Sequence, residues 1–562
     1  MLQLKYATAR KAGRSVGHAR AGLPCRIPVQ RTVSSSSGFL RIGRHARISI
    51  KAAMRLAGIC TGNFAGASTG EKAMRCREAL WATAAVILWV SSVTTCQQTA
   101  PAAPGEADPE KTLQKMGWEI TPCSGDYKEP PSKWVTAPQS AQDADLTLVK
   151  AIPDVWRLNL RGTAISDAGV RHLVGLKRLV YLDLAGTKVT DAGVKELRGI
   201  AKLSCLDLGD TKVTDACLKD IRAMPRISYL NLPRTGVGDA GLVHLEGHMK
   251  LSELDLQGTK VTNACIKSLN KLPVDYLYLA MTGITDAGVA DLKPVEHLEL
   301  SGPGITDASL KVLGRFKGLR VLALGGTRIT AQGLRELTNQ HELVHLDLSN
   351  TGITDQDLVE LRSMKKLTRL HLDGTAVTGA GLGVLSSFDE LQDLGLSRSK
   401  VNDSGLKELR KLKGLVYLNL SGTAITDSGL ENLREIKDLR VLDLSKTVVT
   451  DAGMKVVASL GLTDLNLSDT RVGDAGVGEL GSMNNLAVLN LARTKITDAW
   501  FESAPHFSSL SSLDLSGTSL TDKGLKELEG RFFRELDVSG TRVTPAAVKD
   551  MRMKQDALST GQ

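Results

Sequence analysis

The chain has 562 residues, 42% of them apolar and only 4% aromatic, with 71 Lys and Arg against 61 Asp and Glu. That apolar share excludes a disordered chain, and so few aromatics, with Leu, Gly and Thr returning at fixed intervals, fit a repeat array better than a set of unrelated domains. The formal charge of +10 belongs to one end: residues 1–73 hold 13 Lys and Arg and one acid, Glu71, leaving 58 basic against 60 acidic residues in the remainder. A basic nucleic-acid-binding face thereby loses most of its support, and no nucleic-acid partner is expected.

Residues 1–70 contain no Asp or Glu and are rich in Arg and Ser, the composition of a transit peptide. A more complete export signal starts at Met74. Arg75 and Arg77 give it a charged beginning, 82–90 is an apolar core, and Val93-Thr94-Thr95-Cys96 precedes a polar, Pro-rich stretch. Residues 74–96 resemble a bacterial lipoprotein signal peptide, in which Cys96 becomes the first residue and carries lipid. Thr95 departs from the small residue that pattern prefers. The expectation is an exported chain of the cell envelope, anchored to the membrane at Cys96. An ordinary cleaved signal and a retained anchor are alternatives, since the apolar run 79–95 is marginal for a span. Residues 1–73 then read as a basic leader from an over-called start, with a mitochondrial leader as the rival. Gly66-Ala67-Ser68-Thr69-Gly70 matches the nucleophile-elbow spacing, but no strand precedes it and no helix follows.

Residues 97–114 read as a linker, and 115–157, with Trp118, Trp134 and Trp156, as an N-terminal cap. From Leu158 to Leu536 the chain then repeats itself in 17 units, mostly of 24 residues. Leu179, Leu182, Leu184, Thr187 and Val189 carry the motif L-x-x-L-x-L-x-x-T-x-V/I. Over roughly 380 residues this resembles the leucine-rich repeat family. The resemblance implies an α/β solenoid, a horseshoe with a concave parallel sheet and convex helices, spanning 158–553 with a disordered tail at 554–562. The I-T-D-x-G-L helix start is most similar to the cysteine-containing repeats of F-box proteins, with Thr in place of Asn or Cys, and to Thr-rich repeats of bacterial exported proteins.

Each repeat position has a physical task. L-x-L is one strand whose leucines point inward and whose intervening residues point out. The Thr is expected to bond buried turn backbone. The Asp of T-D-A-G is expected to cap the helix that follows, and the Gly to let the helix start approach its neighbour. Cys217 and Cys265 take that Gly position two units apart, too far for a disulfide.

His341-Glu342-Leu343-Val344-His345 matches H-E-x-x-H, the zinc-protease spacing on a helix. The repeat register forbids that helix, because Leu343 and Leu346 are the leucines that lead into a strand. No metal, no cofactor and no catalytic residue is expected. The outward strand positions form two columns. The one between the leucines is mostly Asp, Asn or Glu: a solvated consensus position, or an acidic stripe that attracts a basic partner. The one before the first Leu is more varied. Five of the seven Tyr fall on these columns. Tyr181, Tyr229, Tyr276, Tyr278, His297, Glu299, His345, Arg369 and His371 are the residue types that anchor partners. The irregular units, a 21-residue one from Leu277 with Pro294 and the next with Pro303 for Thr, place the expected centre there. The function expected is a non-catalytic scaffold or receptor for a protein partner. An intracellular F-box-type adaptor of a ubiquitin ligase is the alternative, and a zinc protease at HELVH a remote one.

Overall fold

The computed structural model describes residues 108–123, 132–503 and 507–560. The basic leader, the signal-like stretch and Cys96 lie outside the described residues. The first described helix, α1 (Pro109–Lys115), falls inside the stretch read as linker, and Leu113 on it is fully buried. Strands β1 (Glu119–Cys123) and β2 (Ser132–Thr136) pair antiparallel, and β2 then runs parallel to β3 (Val155–Asn159). Trp118, Val135 and Leu146 are buried there, covering the apolar edge of the first repeat.

Every later repeat contributes one three-residue strand. These are β4 (Tyr181–Asp183), β5 (Cys205–Asp207), β6 (Tyr229–Asn231), β7 (Glu253–Asp255), β8 (Tyr276–Tyr278) and β9 (His297–Glu299). They continue through β10 (Val321–Ala323), β11 (His345–Asp347), β12 (Arg369–His371), β13 (Asp393–Gly395) and β14 (Tyr417–Asn419). The last are β15 (Val441–Asp443), β16 (Asp464–Asn466), β17 (Val488–Asn490), β18 (Ser512–Asp514) and β19 (Glu535–Asp537). Each pairs in parallel with its sequence neighbour, central leucine on central leucine, as Leu182 on Leu206 and Leu277 on Leu298. A strand this short buries only one leucine, so stability comes from stacking, and the buried side chains form one cluster from Leu113 to Met551. This is the horseshoe solenoid that the repeat implies.

The outer segments are shorter than amphipathic helices usually are. Most are α-turns of four to seven residues, and two repeats use 3-10 helix alone, at Asp357–Ser363 and Ala380–Ser387. The last helix runs Pro545–Thr560, through the stretch read as a disordered tail.

The buried Thr does what its position requires. In sixteen of the seventeen repeats its hydroxyl, or that of Ser399, donates to the carbonyl three residues back, as Thr187 does to Leu184 at 2.6 Å. Pro303 is the exception. The residue just before the Thr, or before Ser399 or Pro303, has positive φ. Gly takes it in nine of the seventeen repeats, and Met281 is one of eight other residues there, at φ 57°, a strain of about 1 kcal/mol.

The Asp of T-D-A-G is not the helix cap. The preceding Thr is: Thr190 Oγ1 accepts from Ala192 N, and Asp191 is the first helical residue. The carboxylate reaches forward instead. Asp191 Oδ1 accepts from Thr214 N at 2.8 Å and Oδ2 from Thr214 Oγ1 at 2.7 Å, one repeat on. The same clamp joins Asp427 to Thr450 and Asp522 to Thr544, and Asp143 of the N-terminal segment joins Ser166. The Gly of D-A-G lies against this carboxylate: a Cβ on Gly453 would stand 2.5 Å from Asp427 Oδ1. Ser309 fills the same place by donating to Asp286. The ladder lacks a carboxylate at Asn263, whose amide oxygen still accepts from Thr285 N, at Gly379, and at Ala331, where Asp357 of the following repeat bonds its own Thr354.

Thr351→Val keeps the shape but strips Leu348 of its buried donor, so we expect a loss of about 1–3 kcal/mol. Thr351→Ser, which keeps the hydroxyl, should lose less. Urea unfolding followed by circular dichroism checks both.

Candidate interaction face

Residues on either side of each central leucine share the concave face, and the in-phase register turns them into two columns. Tyr181, Tyr229, Tyr276, His297, His345 and Arg369 occupy the first, and Tyr278, Glu299 and His371 the second. Neighbouring strands stand about 4.8 Å apart, so adjacent column members touch.

The acidic column is more structural than a solvated stripe. Its first side-chain oxygen accepts from the backbone N–H two residues on, as Asp207 does from Gly209 and Asp443 from Ser445. This Asx turn bends the chain out of the strand. Asn231 is followed by Pro233, which has no N–H, and its amide instead donates to Tyr229 Oη at 2.7 Å. At Gly395 the previous repeat substitutes: Asp373 Oδ1 accepts from Ser397 N. Asp183, Asp207 and Glu299 are buried although they point outward.

The candidate residues fall into three groups. In the first, the Arg157 guanidinium lies 4.1 Å from the centre of the Tyr181 ring and 5.3 Å from that of Trp134, which stacks on Trp156. Arg161 bridges Asp183 at 3.0 Å and Asp207 at 2.6 Å. Burial and the neighbouring Asp207 push the Asp183 carboxyl above its ordinary range, against the pull of Arg161. Burial lifts Tyr181 to about 12.

The second group spans β6 to β9. Glu253 stands between Tyr229 and Tyr276 in register, and Tyr278 Oη donates to Glu253 Oε1 at 3.2 Å. The His297 ring lies 4.6 Å from Tyr278 and 5.7 Å from Tyr276, centre to centre. Tyr276 is 37% exposed. Burial raises Glu253 to about 7, with Asp255 adding to it and the Tyr278 hydroxyl opposing it. A shallow groove of about 370 Å³ lies at the N-terminal ends of β8 to β11, lined by Asp275, Pro294, Glu296, Lys317, Arg320 and Glu342. It opens beside the short repeat, where Pro294 ends the helical turn.

The third group is His345 and His371, edge to face at 5.2 Å, with Asp393 3.4 Å from His371 Nε2 and 3.8 Å from Arg369. Burial and then His371 hold His345 down to about 4, while Asp393 raises His371 although burial opposes it. Of the two, His371 is the more readily protonated. His345 Nε2 is buried without a hydrogen-bond partner. β10 separates the second and third groups with Val321 and Ala323, so the nine candidates do not make one site. HELVH is split: His341 is in a turn and His345 on β11. Among the described residues no three His, Cys, Asp or Glu are placed to hold a metal ion. Cys205, Cys217 and Cys265 are buried free thiols.

Glu253, Arg157 and Arg161 were not among the partner-binding candidates expected from the sequence, and Trp134 was read only as part of the cap. Glu253 could have been, because the nearly constant repeat length makes residues 229, 253 and 276 neighbours.

Five segments, 178–197, 415–433, 437–458, 462–481 and 508–528, match the leucine-rich repeat family. Seventeen in-phase turns of the same motif agree with those matches, and the fold is that of a leucine-rich repeat solenoid. No curated protein matches it. Similar solved structures include an internalin of Listeria monocytogenes, at 20% identity over 62% of this chain and 83% of that one, TM-score 0.32. A leucine-rich repeat protein of Leptospira interrogans is 20% identical over 74% of this chain and 96% of that one, TM-score 0.36. The mouse RP105/MD-1 complex is 16% identical over 75% and 84%, TM-score 0.43.

The Glu253 carboxyl holds a proton up to about pH 7 when folded, against an ordinary 4.5. The folded state thus binds the extra proton, and stability falls as pH rises through that window. Glu253→Gln should stabilise the array at pH 8 by about 1–2 kcal/mol, discounted because the side chain is half-buried, and change little at pH 4. Urea midpoints of the two proteins at both pH values check this.

Proposed function

We propose that this array is a non-catalytic receptor or scaffold that holds a protein partner on its concave sheet. Tyr276, exposed beside Tyr278 and His297 on fixed backbone, carries the reading. Tyrosine offers a large contact area for little lost rotamer freedom, and a sheet clamped at most repeat boundaries needs little ordering on binding. The splitting of HELVH between a turn and a strand argues against protease chemistry. The Met74 signal pattern with Cys96 supports export and a lipid anchor, so the partner would be met at the cell envelope.

A photo-crosslinking residue at position 276, in intact cells, is expected to give a discrete protein adduct, and the same probe at the outward position 431 none. The adduct should sediment with membranes, and Cys96→Ser should release it. Adducts of equal yield from both positions, or none from 276, would contradict the reading.

A further inference from the structure

We infer that the solenoid carries a hinge at the boundary between the β10 and β11 repeats, about which its two arms close on the concave face. This goes beyond the receptor reading, which asks for no motion.

On the outer side two directed links join one repeat to the next. The first is the carboxylate clamp. The second is a backbone bond from the residue after the buried Thr to the Val or Ile of the previous repeat, as Lys188 N donates to Ile165 O at 2.8 Å. Among the described residues one boundary lacks both links. Ala331 offers no carboxylate to Thr354, and Gly352 N does not donate to Ile329 O. At Gly379 the clamp is missing but the backbone bond survives, from Lys400 N to Val377 O at 2.9 Å. At Gly304 and Val448 the backbone bond is missing but the clamps of Asp286 and Asp427 survive.

The carboxylate has moved to the other side of the β10–β11 boundary. Asp357 stands where most repeats have the D-A-G glycine, and its Oδ2 accepts from Thr354 N at 2.7 Å and from Thr354 Oγ1 at 2.9 Å. This is the backward half of a capping box. Both donors that a clamp would use are satisfied within one repeat, so parting the two repeats breaks no hydrogen bond at this Thr. The two changes belong together. A Cβ on Gly333 would crowd Asp307 of the previous repeat, whereas Ala331 leaves room for a side chain at 357. The outer side is also open here. A Cβ on Gly352 would meet nothing within 4 Å, while one on Gly236, at the same place in a linked repeat, would stand 3.0 Å from Val213 O.

What still crosses the outer side is apolar packing, with Leu334 and Leu358 fully buried, and the ion pair of Arg335 with Glu360 at 3.0 Å. Apolar contact has no preferred direction, and an ion pair at the surface holds little. The inner side is intact: Val344 N donates to Arg320 O and Leu324 N to Asp347 O, both at 2.8 Å. The sheet is therefore the pivot. Opening the outer side about it raises the curvature and carries His345 and His371 toward the tyrosines of β6 to β9. On β10, between them, only Val321 and Ala323 occupy the two columns.

The test places spin labels, as genetically encoded side chains, at exposed positions 311 and 359 of the full chain and reads their distance distribution. Exposed positions 407 and 455, also two repeats apart and at the same place in their repeats, are the control, because both boundaries between them are clamped. The distribution for 311 and 359 should be about twofold broader than the control. Ala331→Asp combined with Asp357→Gly rebuilds the clamp onto Thr354 and should narrow it to the control width, while Asp357→Gly alone should leave it broad. Equal widths in the native chain would overturn the hinge. So would a 311–359 distribution that stays broad in the rebuilt chain. The control pair is read in each variant to show that the array is intact, and where it is not, the native comparison decides alone.

Discussion

The solenoid depends on a carboxylate that crosses the boundary between repeats. Each repeat offers a strand with one buried leucine and a turn or two of helix, too little to stand alone. Backbone pairing joins the strands, and shared leucines join the core, but the outer side needs its own connection. Asp191 to Thr214, Asp403 to Thr426 and Asp474 to Thr497 provide it, each with one backbone and one hydroxyl donor. The Thr that receives the clamp is also the cap of its own helix, so one side chain fixes both the helix start and its spacing from the previous repeat. The D-A-G glycine follows from this, since a side chain there meets the carboxylate.

Much of this architecture was legible in the sequence because a repeat measures its own register. Seventeen leucines at a nearly constant spacing make residues about 24 apart neighbours, so the two outward columns could be written down before any coordinates. The Thr also read correctly, because its bond to the carbonyl three residues back is local. The Asp did not. An acid at a helix start satisfies the capping rule, and nothing local indicates that its partner lies 23 residues ahead. The acidic column misled for the opposite reason. Its alternation placed it outside, yet its oxygens are engaged in Asx turns, and Asp183 and Asp207 are buried beneath Arg161.

The candidate face shows the same division. Residue types and column positions were readable, but the grouping was not, since Val321 and Ala323 separate the tyrosine group from the histidine pair. Nor was the bridge from Arg161 to Asp183 and Asp207, because Arg161 sits in a turn and reaches across two strands. Placing irregular repeats beside the tyrosine group is consistent with a local change of stacking there. Met281 holds a left-handed conformation at the same point, and its N–H is taken by Ser301.

The clamps at the repeat boundaries fix the spacing of the strands that carry the concave face. Asp286 is the clamp of the short repeat: it takes Thr306 N, Thr306 Oγ1 and Ser309 Oγ. Burial would raise its carboxyl, but these donors keep it below its ordinary value. Native-state hydrogen exchange on Asp286→Ala shows whether that clamp holds the neighbouring strands. Faster exchange of the β8 and β9 amides by roughly five- to thirtyfold, with β16 to β19 unchanged, is the predicted result. Unaltered exchange at β8 and β9, or an equal acceleration along the whole sheet, would contradict it.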